Sequence, residues 1–152
     1  MQAQAYSVAP LVVRYELAGC AVLHRGGSRT WRLNNPGDLP SGAFALAHGS
    51  IGAAEGRAIF ASAPAGRAAL LALFDEPATA MKSVGALIAE FVPGYVLPRH
   101  AGRGGFEPAS GLPLRLPTGA LAPAQRARLA DTVTWLLGYR AGELIGVEAR
   151  VD

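Results

Sequence analysis

The sequence predicts a single α+β domain with an N-terminal β-hairpin, three main helices and a long irregular loop rich in Gly and Pro. Two runs of β-branched and apolar residues near the N-terminus are separated by a connection of hairpin length. Apolar residues recur at helical spacing in three later segments. The chain of 152 residues fits one domain, since two would need roughly 100 residues or more each.

The predicted hairpin has strands at residues 11–16 and 20–24, joined by Leu17-Ala18-Gly19. A loop at 25–38 follows. In it, Pro36 and Gly37 suit the central positions of a type II turn, because Pro presets φ and Gly supplies a positive φ. Asn35 is expected to be extended because it precedes Pro. We name residues 34–37 the Asn-Asn-Pro-Gly corner and expect it to lie at a junction of sheet and helix.

The predicted helices begin at clear start signals. A short strand at 56–60 precedes a helix at 63–75, which Ser62 caps. Ser83 caps a second helix at 84–92, whose apolar residues have spacings typical of one helix face and which ends before Pro93. A third helix spans 123–138. We expect Leu87 and Leu136 to belong to the core.

A long segment at 93–121 contains five prolines and six glycines and shows no sustained periodicity. Ordinary connections are much shorter, so the sequence leaves a functional loop, a lid and a degenerate helix open as interpretations. We expect apolar residues, such as Tyr95, Phe106 and Leu114, to anchor it. Arg99 and His100 would then lie toward the Asn-Asn-Pro-Gly corner.

Composition limits the classes of function. Apolar residues make up 51% of the chain and charged residues 16%, which is not typical of disordered or membrane-spanning proteins. The net charge of +3 mildly favours an anionic partner. No N-terminal stretch is apolar and long enough for a signal peptide or a membrane span, so we expect synthesis in the bacterial cytoplasm without such a signal.

Neither a metal nor a cofactor is predicted. The single cysteine, Cys20, excludes an internal disulfide framework, and the three histidines lack close ligand spacing. Cys20 and His24 share a strand face, but their Cβ atoms would lie roughly 13 Å apart at about 3.3 Å per residue. That distance is too long for a nucleophile and its base, and Cys20 is interpreted as a small buried thiol.

The stretch at 26–39, which contains Trp31-Arg32-Leu33-Asn34-Asn35-Pro36-Gly37-Asp38, resembles a bacterial and phage-associated family with the motif Trp-Arg-Asn-Asn-Asn-Pro-Gly-Asn. Further blocks resemble the family in the same order at 42–45, 48–52, 57–60, 65–70 and 138–143. Together the resemblance covers about 20–92 and 119–144. It departs where Leu33 and Asp38 replace two family asparagines, and where the Gly/Pro-rich loop replaces an acidic segment. The chain thus resembles a diverged member.

The resemblance implies a domain directed at the cell wall, with peptidoglycan or its fragments as partner. Family members occur in phage virions and near type VI secretion and polymorphic-toxin genes, so phage structural or secretion proteins are further expected partners, and delivery to the periplasm by such a machine is expected. One interpretation is a peptidoglycan hydrolase or secreted effector with carboxylate acid/base chemistry. The other is a non-catalytic interaction domain, such as a virion component, a secretion adaptor or an immunity-like binder. Nucleic acid is not an expected partner.

Glycan cleavage needs a carboxylic acid and usually a second carboxylate. Asp38 and Glu55 are the preferred catalytic pair, because both lie in resembled blocks where turns can direct them into one cleft; Glu16 is a further acid near the hairpin. For each candidate a structural interpretation stays open: Asp38 caps its own turn, Glu55 is solvated, the asparagines bond their own loop and Trp31 is a buried anchor. The predicted substrate-binding residues are Trp31, Arg32, Asn34, Asn35, Arg99 and His100.

Overall fold

A computed structural model describes residues 2–94 and 111–148 and shows an α+β domain. Within these residues, the strands form one sheet of four and one of two, and helices pack beside them. The elements in chain order are β1 (Gln4–Ala9), β2 (Val12–Leu17), β3 (Cys20–Arg25), α1 (Arg29–Arg32), α2 (Ala43–Ala47), β4 (Ser50–Ala54), β5 (Arg57–Phe60), α3 (Ala63–Leu73), α4 (Pro77–Ala80), α5 (Val84–Phe91), a 3₁₀ turn (Thr118–Ala120), α6 (Pro123–Leu136) and β6 (Glu143–Val147).

The predicted hairpin is confirmed as β2 and β3, which pair antiparallel with Leu17 opposite Cys20. Strands β1 and β6, which were not predicted, flank it to give the order β1-β2-β3-β6. The interpretation of Cys20 as a buried thiol is wrong: it is exposed at the start of β3. The four-stranded sheet therefore needs two partners that the local sequence signals did not reveal.

The two-stranded sheet consists of β4 and β5, of which β5 is the predicted strand. Glu55 and Gly56 connect them with φ values of 54° and 75°. Positive φ at both central residues is typical of a type I′ hairpin turn. A Cβ placed on Gly52 would lie 1.9 Å from the Ala5 carbonyl oxygen, so this glycine allows β4 to approach β1.

The three predicted main helices are confirmed as α3, α5 and α6, each ending slightly earlier than predicted. Ser62 and Ser83 cap α3 and α5 as predicted: their Oγ atoms accept hydrogen bonds from the amides of Ala65 and Ala86. Among the described residues, no helix is both long and apolar enough to cross a membrane.

The larger core cluster joins α3, α5 and α6 to β5. Leu87 is buried in it as predicted. Leu136 is only partly buried, so the prediction of a core position there is wrong. The α6 residues without exposed surface are Leu129, Ala130, Thr132 and Val133. A smaller cluster lies between the two sheets, around Tyr15.

The predicted irregular segment at 93–121 is described only at its ends. Its described C-terminal part, residues 111–121, packs on the start of α5, where the amides of Val84 and Gly85 donate to the carbonyls of Leu116 and Leu114. The amide of Thr118 donates to the Lys82 carbonyl, and a 3₁₀ turn follows. This part is therefore anchored and partly regular. The expected contacts of Tyr95, Arg99, His100 and Phe106 lie outside the described residues.

Candidate functional site

The Asn-Asn-Pro-Gly corner lies between β5 and α3, as predicted. The Asp38 amide donates to the Asn35 carbonyl at 2.9 Å, which closes a β-turn around Pro36 and Gly37. The prediction of a type II turn is wrong, because Gly37 does not have a positive φ. A Cβ there would lie 2.7 Å from a Leu70 methyl carbon of α3, so a larger residue would force the buried Leu70 side chain to shift.

Asn35 has no exposed surface. Its Nδ2 donates to the carbonyls of Leu39 and Ala58, and its Oδ1 accepts from the Leu39 amide, all at 2.9 Å. These bonds satisfy backbone groups of the corner and of β5, where an unsatisfied buried group would be costly. The amide of Asn35 thus holds the corner together and does not face a ligand.

Asn34 is also buried, with Nδ2 donating to the Phe60 carbonyl at 3.2 Å. Its backbone has a φ of 49°, in the left-handed region that asparagine tolerates. A Cβ on Gly66 of α3 would lie 1.9 Å from the Asn34 carbonyl oxygen. The helix therefore approaches the corner only because residue 66 is glycine.

Trp31 is 8% exposed and forms an aromatic stack with His24 and Tyr15. Its ring centroid lies 4.7 Å from that of His24, which lies 4.4 Å from that of Tyr15. The Tyr15 hydroxyl donates to the Arg32 carbonyl at 2.5 Å. Trp31 thus anchors the motif to the four-stranded sheet and offers little surface for a sugar.

His24 sits inside this stack, and its buried Nδ1 has no hydrogen-bond partner among the residues that the structure describes. Burial lowers the pKa of His24 below its ordinary value, because the interior disfavours the charged imidazolium. Burial also raises the pKa of Tyr15. The neutral imidazole is therefore the form that the fold accommodates.

Arg32 is buried, and its Nη1 donates to the carbonyls of Gly26 and Gly27 at 3.2 and 2.7 Å. Its Nη2 lies 3.8 Å from a carboxylate oxygen of Glu55, whose side chain is 56% exposed at the β4–β5 turn. Arg32 thus holds the loop before the motif, and Glu55 lies at the surface.

Asp38 is the centre of an ion-pair cluster. Arg29 donates to both carboxylate oxygens, from Nε at 3.0 Å and from Nη2 at 2.5 Å, and this bond raises the pKa of Arg29. Arg57 places Nε 3.7 Å from Oδ2 and donates from Nη1 to the Asp38 carbonyl at 3.1 Å. The Asp38 side chain is 13% exposed. Two guanidinium groups therefore share one carboxylate.

Asp38 borders a cavity of about 250 Å³, which we name the Asp38 cleft. Arg57 and Glu90 also line it, together with apolar residues that include Leu73 and Phe91. Glu90 projects from α5 and pairs with Lys82 Nζ at 2.7 Å. Arg29 and Lys82 pair with the two carboxylates from outside the lining, so Arg57 is the cation among the described residues that line the cleft. A guanidinium group there can bind a carboxylate of a ligand.

The structure brings some predicted site residues together and separates others. Asp38 and Glu55 both act on Arg29 electrostatically, with Asp38 dominant. Among the described residues, four non-glycine positions have a positive φ, and three are predicted site residues: Asn34, Asp38 and Glu55. Such strained positions cluster at functional sites. Arg99 and His100 lie outside the described residues.

Sequence reasoning did not single out Arg57 or Glu90. Arg57 begins β5 directly after the β4–β5 turn, and Glu90 precedes Phe91 at the end of α5. The sequence points to these two residues only indirectly, because each is a charged residue next to apolar residues that pack in the core. Only the packing of β5 against α5 and the corner shows that both face one cavity.

Glu16, the third acid considered, belongs to another surface. Its carboxylate on β2 accepts hydrogen bonds from Gln4, Tyr6 and Arg14. These bonds lower the pKa of Glu16 to about 2, with the bond from Gln4 contributing most. A carboxyl group with such a low pKa is unsuited to donate a proton near neutral pH.

Within residues 2–94 and 111–148, no group of three or more His, Cys, Asp or Glu side chains is arranged to hold a metal ion. Comparison with family models, with curated proteins and with solved structures finds no match to this chain. The geometry and the motif are therefore the grounds for a functional argument.

Proposed function

We propose that this chain is a bacterial or phage-derived domain that binds peptidoglycan through the Asp38 cleft. The motif at 26–39 supports the cell wall as target, since its resemblance to the bacterial and phage-associated family implies a domain directed there. The observation that carries the choice of surface is the cluster of Arg29, Arg57 and Asp38 beside an open cavity. Peptidoglycan carries carboxylates, which guanidinium groups bind in bidentate geometry.

Binding is favoured over hydrolysis because the available carboxylates are paired with cations. A general acid must carry a proton in the ground state. Both oxygens of Asp38 accept hydrogen bonds from Arg29, and Glu90 is paired with Lys82. Glu55 is largely exposed beside Arg32. Each of the three carboxylates therefore lies beside a cationic side chain.

A hydrolase is the second candidate, and one observation favours it. Asp38 and Glu90 line the same cavity, and glycan hydrolases place two carboxylates on either side of the bond they cut. In that case Glu90 would donate the proton, and Asp38, held by Arg29, would remain ionised as base or nucleophile.

Sedimentation with purified, insoluble peptidoglycan sacculi tests the binding proposal. We expect the wild-type chain to sediment and Arg57→Ala to bind at least about tenfold more weakly, a change of about 1.4 kcal/mol. Arg25→Ala is the matched control, since it also removes one arginine that is paired with a carboxylate, here the exposed Glu143 on β6. Equal binding by wild type and Arg57→Ala would show that the cleft is not the contact.

Mass analysis of the supernatant separates binding from hydrolysis. The binding proposal predicts no new soluble muropeptides after incubation. Release of muropeptides that disappears in Glu90→Gln would replace it with the hydrolase.

A further inference from the structure

The Asp38 cleft adjoins a second cavity of about 210 Å³. Leu39, Pro40 and Leu73 line both, so the two cavities are neighbouring parts of one groove. The ends differ in chemistry. The first contains Asp38, Arg57 and Glu90, whereas the second is lined almost entirely by the side chains of Ala43, Phe44, Ala45 and their apolar neighbours.

We infer that this groove binds the short peptide of peptidoglycan and not its glycan strand. The inference rests on the proposed function and adds the part of the polymer that is recognised. The stem peptide alternates small aliphatic side chains with carboxylates, and the N-acetylated sugar chain is uncharged. A groove with one charged and one apolar end matches the peptide on both counts.

The charged end has a donor available for a carboxylate. The Arg57 side chain is 37% exposed, and in the described part of the chain its guanidinium group donates one hydrogen bond, from Nη1 to the Asp38 carbonyl. Nε lies 3.7 Å from Asp38 Oδ2, beyond hydrogen-bond distance, so Nη2 is the nitrogen that can donate to an incoming carboxylate. The single Asp38 carboxylate, shared with Arg29, offsets only one of the two guanidinium charges.

The apolar end suits methyl and short aliphatic groups. Ala43 and Ala45 contribute small side chains to its lining, and Leu39 and Leu73 lie where it meets the charged end. The Phe44 ring lies 4.3 Å from the His48 ring, centroid to centroid, so one part of its surface is already covered. Burial of an alanine methyl there is favourable because it removes apolar surface from water.

Calorimetric titration of the full chain compares the two halves of the polymer. The probes are the tripeptide L-Ala-γ-D-Glu-meso-diaminopimelate and the neutral sugar chitotetraose. We expect the tripeptide to bind at least about tenfold more tightly than the sugar. Arg57→Ala should weaken tripeptide binding at least tenfold, by loss of the carboxylate contact at the charged end.

The apolar end is tested by Ala43→Trp, which fills the cavity from an exposed position. We expect weaker tripeptide binding and an unchanged melting temperature. Leu46→Ala is the control, since Leu46 is 69% exposed on the same helix and does not line the groove. Tripeptide binding that neither Arg57→Ala nor Ala43→Trp weakens would overturn the assignment to this groove.

The outcomes separate the inference from the proposed function. If the chain binds sacculi and chitotetraose but not the tripeptide, the inference is wrong and the proposed function stands. If it binds neither sacculi nor the tripeptide, both are wrong. Tripeptide binding that depends on both ends of the groove supports both.

Discussion

Asn35 and Asp38 lie three residues apart in one motif, yet the structure uses them in opposite ways. Asn35 has no exposed surface, and all three of its side-chain hydrogen bonds go to backbone groups. Asp38 bonds to side chains, lies beside a cavity and shares two arginines. One motif of polar residues thus contains both framework residues and surface residues, and solvent access distinguishes the two.

The chemistry of the two groups explains the division. An amide has donors and an acceptor, so Asn35 satisfies carbonyl and amide groups of the backbone together. A carboxylate only accepts hydrogen bonds and needs cations when water is partly excluded. Arginine supplies such a cation, and its long side chain lets part of the guanidinium group stay in contact with solvent. Substitutions in the corner should therefore change stability, and substitutions in the cleft should change binding.

The largest expected effect is that of Asn35→Ala. We expect the free energy of unfolding to fall by about 3 kcal/mol or more, since each buried backbone group left unsatisfied costs about 1 to 3 kcal/mol. Urea denaturation measures it. Ser41→Ala, which removes an exposed bond to the Gly56 carbonyl, should change stability by less than about 0.5 kcal/mol. A small effect of Asn35→Ala would break the comparison.

Gly66→Ala sharpens the framework side. In an ordinary helix this substitution stabilises by up to about 1 kcal/mol. Here the new Cβ would lie 1.9 Å from the Asn34 carbonyl oxygen, so we expect destabilisation of about 2 to 3 kcal/mol. Gly146→Ala is the control, because a Cβ there meets no atom within 4 Å. A stabilised Gly66→Ala would mean that the helix does not pack on the corner.

Acidification should weaken the framework through His24. Its folded pKa lies below the ordinary value of 6.5, so as pH falls through 6.5 the unfolded chain binds a proton that the folded chain excludes. Stability should therefore decrease between pH 7.5 and 5.5. His24→Phe should reduce that decrease, and His48→Gln, at an exposed position, should retain it. Equal pH dependence in wild type and His24→Phe would contradict this role.

Asp38→Asn tests the cleft side. Asn tolerates the left-handed backbone at this position, where φ is 49°, and we expect a loss of stability of only about 1 kcal/mol from the weakened ion pairs. Binding to sacculi should be retained or strengthened, because the cleft gains one net positive charge. A hydrolase would instead lose its activity, which the release of muropeptides measures.

The smallest expected effect is that of Glu55→Asn. Glu55 occupies the first position of a type I′ turn with a φ of 54°, where asparagine followed by glycine is preferred. Relief of this strain should exceed the loss of the exposed pair with Arg32, for a net gain of about 0.5 kcal/mol. Binding should not change. Weaker binding by Glu55→Asn would show that Glu55 contributes to the binding site.

The elements that the sequence predicts correctly carry their signals locally. Ser62 and Ser83 precede α3 and α5, and the apolar spacing of α5 identifies its buried face. Strand β6 was missed because its pairing is remote: it joins β3 from more than 100 residues away along the chain. Strand β1 pairs with the adjacent β2, so its pairing is local and the sequence prediction overlooked it. The sequence of β6 also contains Gly146, and a glycine inside a strand weakens the sequence pattern that predicts a strand.

At the candidate site, the residue types predicted where the site lies but not which residues face a ligand. The corner and Asp38 were predicted, yet the burial of Asn34, Asn35 and Trp31 depends on β5, α3 and β3. The turn type was wrong because Gly37 is required by a contact with Leu70, and not by its own φ. Packing of distant elements cannot be read from a local motif.

The ligand-binding surface can be located from the shifts of backbone amide NMR signals when soluble muropeptides are added to the full chain. We predict the largest shifts around the Asp38 cleft, at Leu39, Arg57 and Glu90. A separate cavity of about 300 Å³, which is not part of the groove and is lined by Pro64, Arg67 and Tyr139, should show little change. Shifts centred on this separate cavity, with the Asp38 cleft unaffected, would show that the ligand does not bind in the Asp38 cleft.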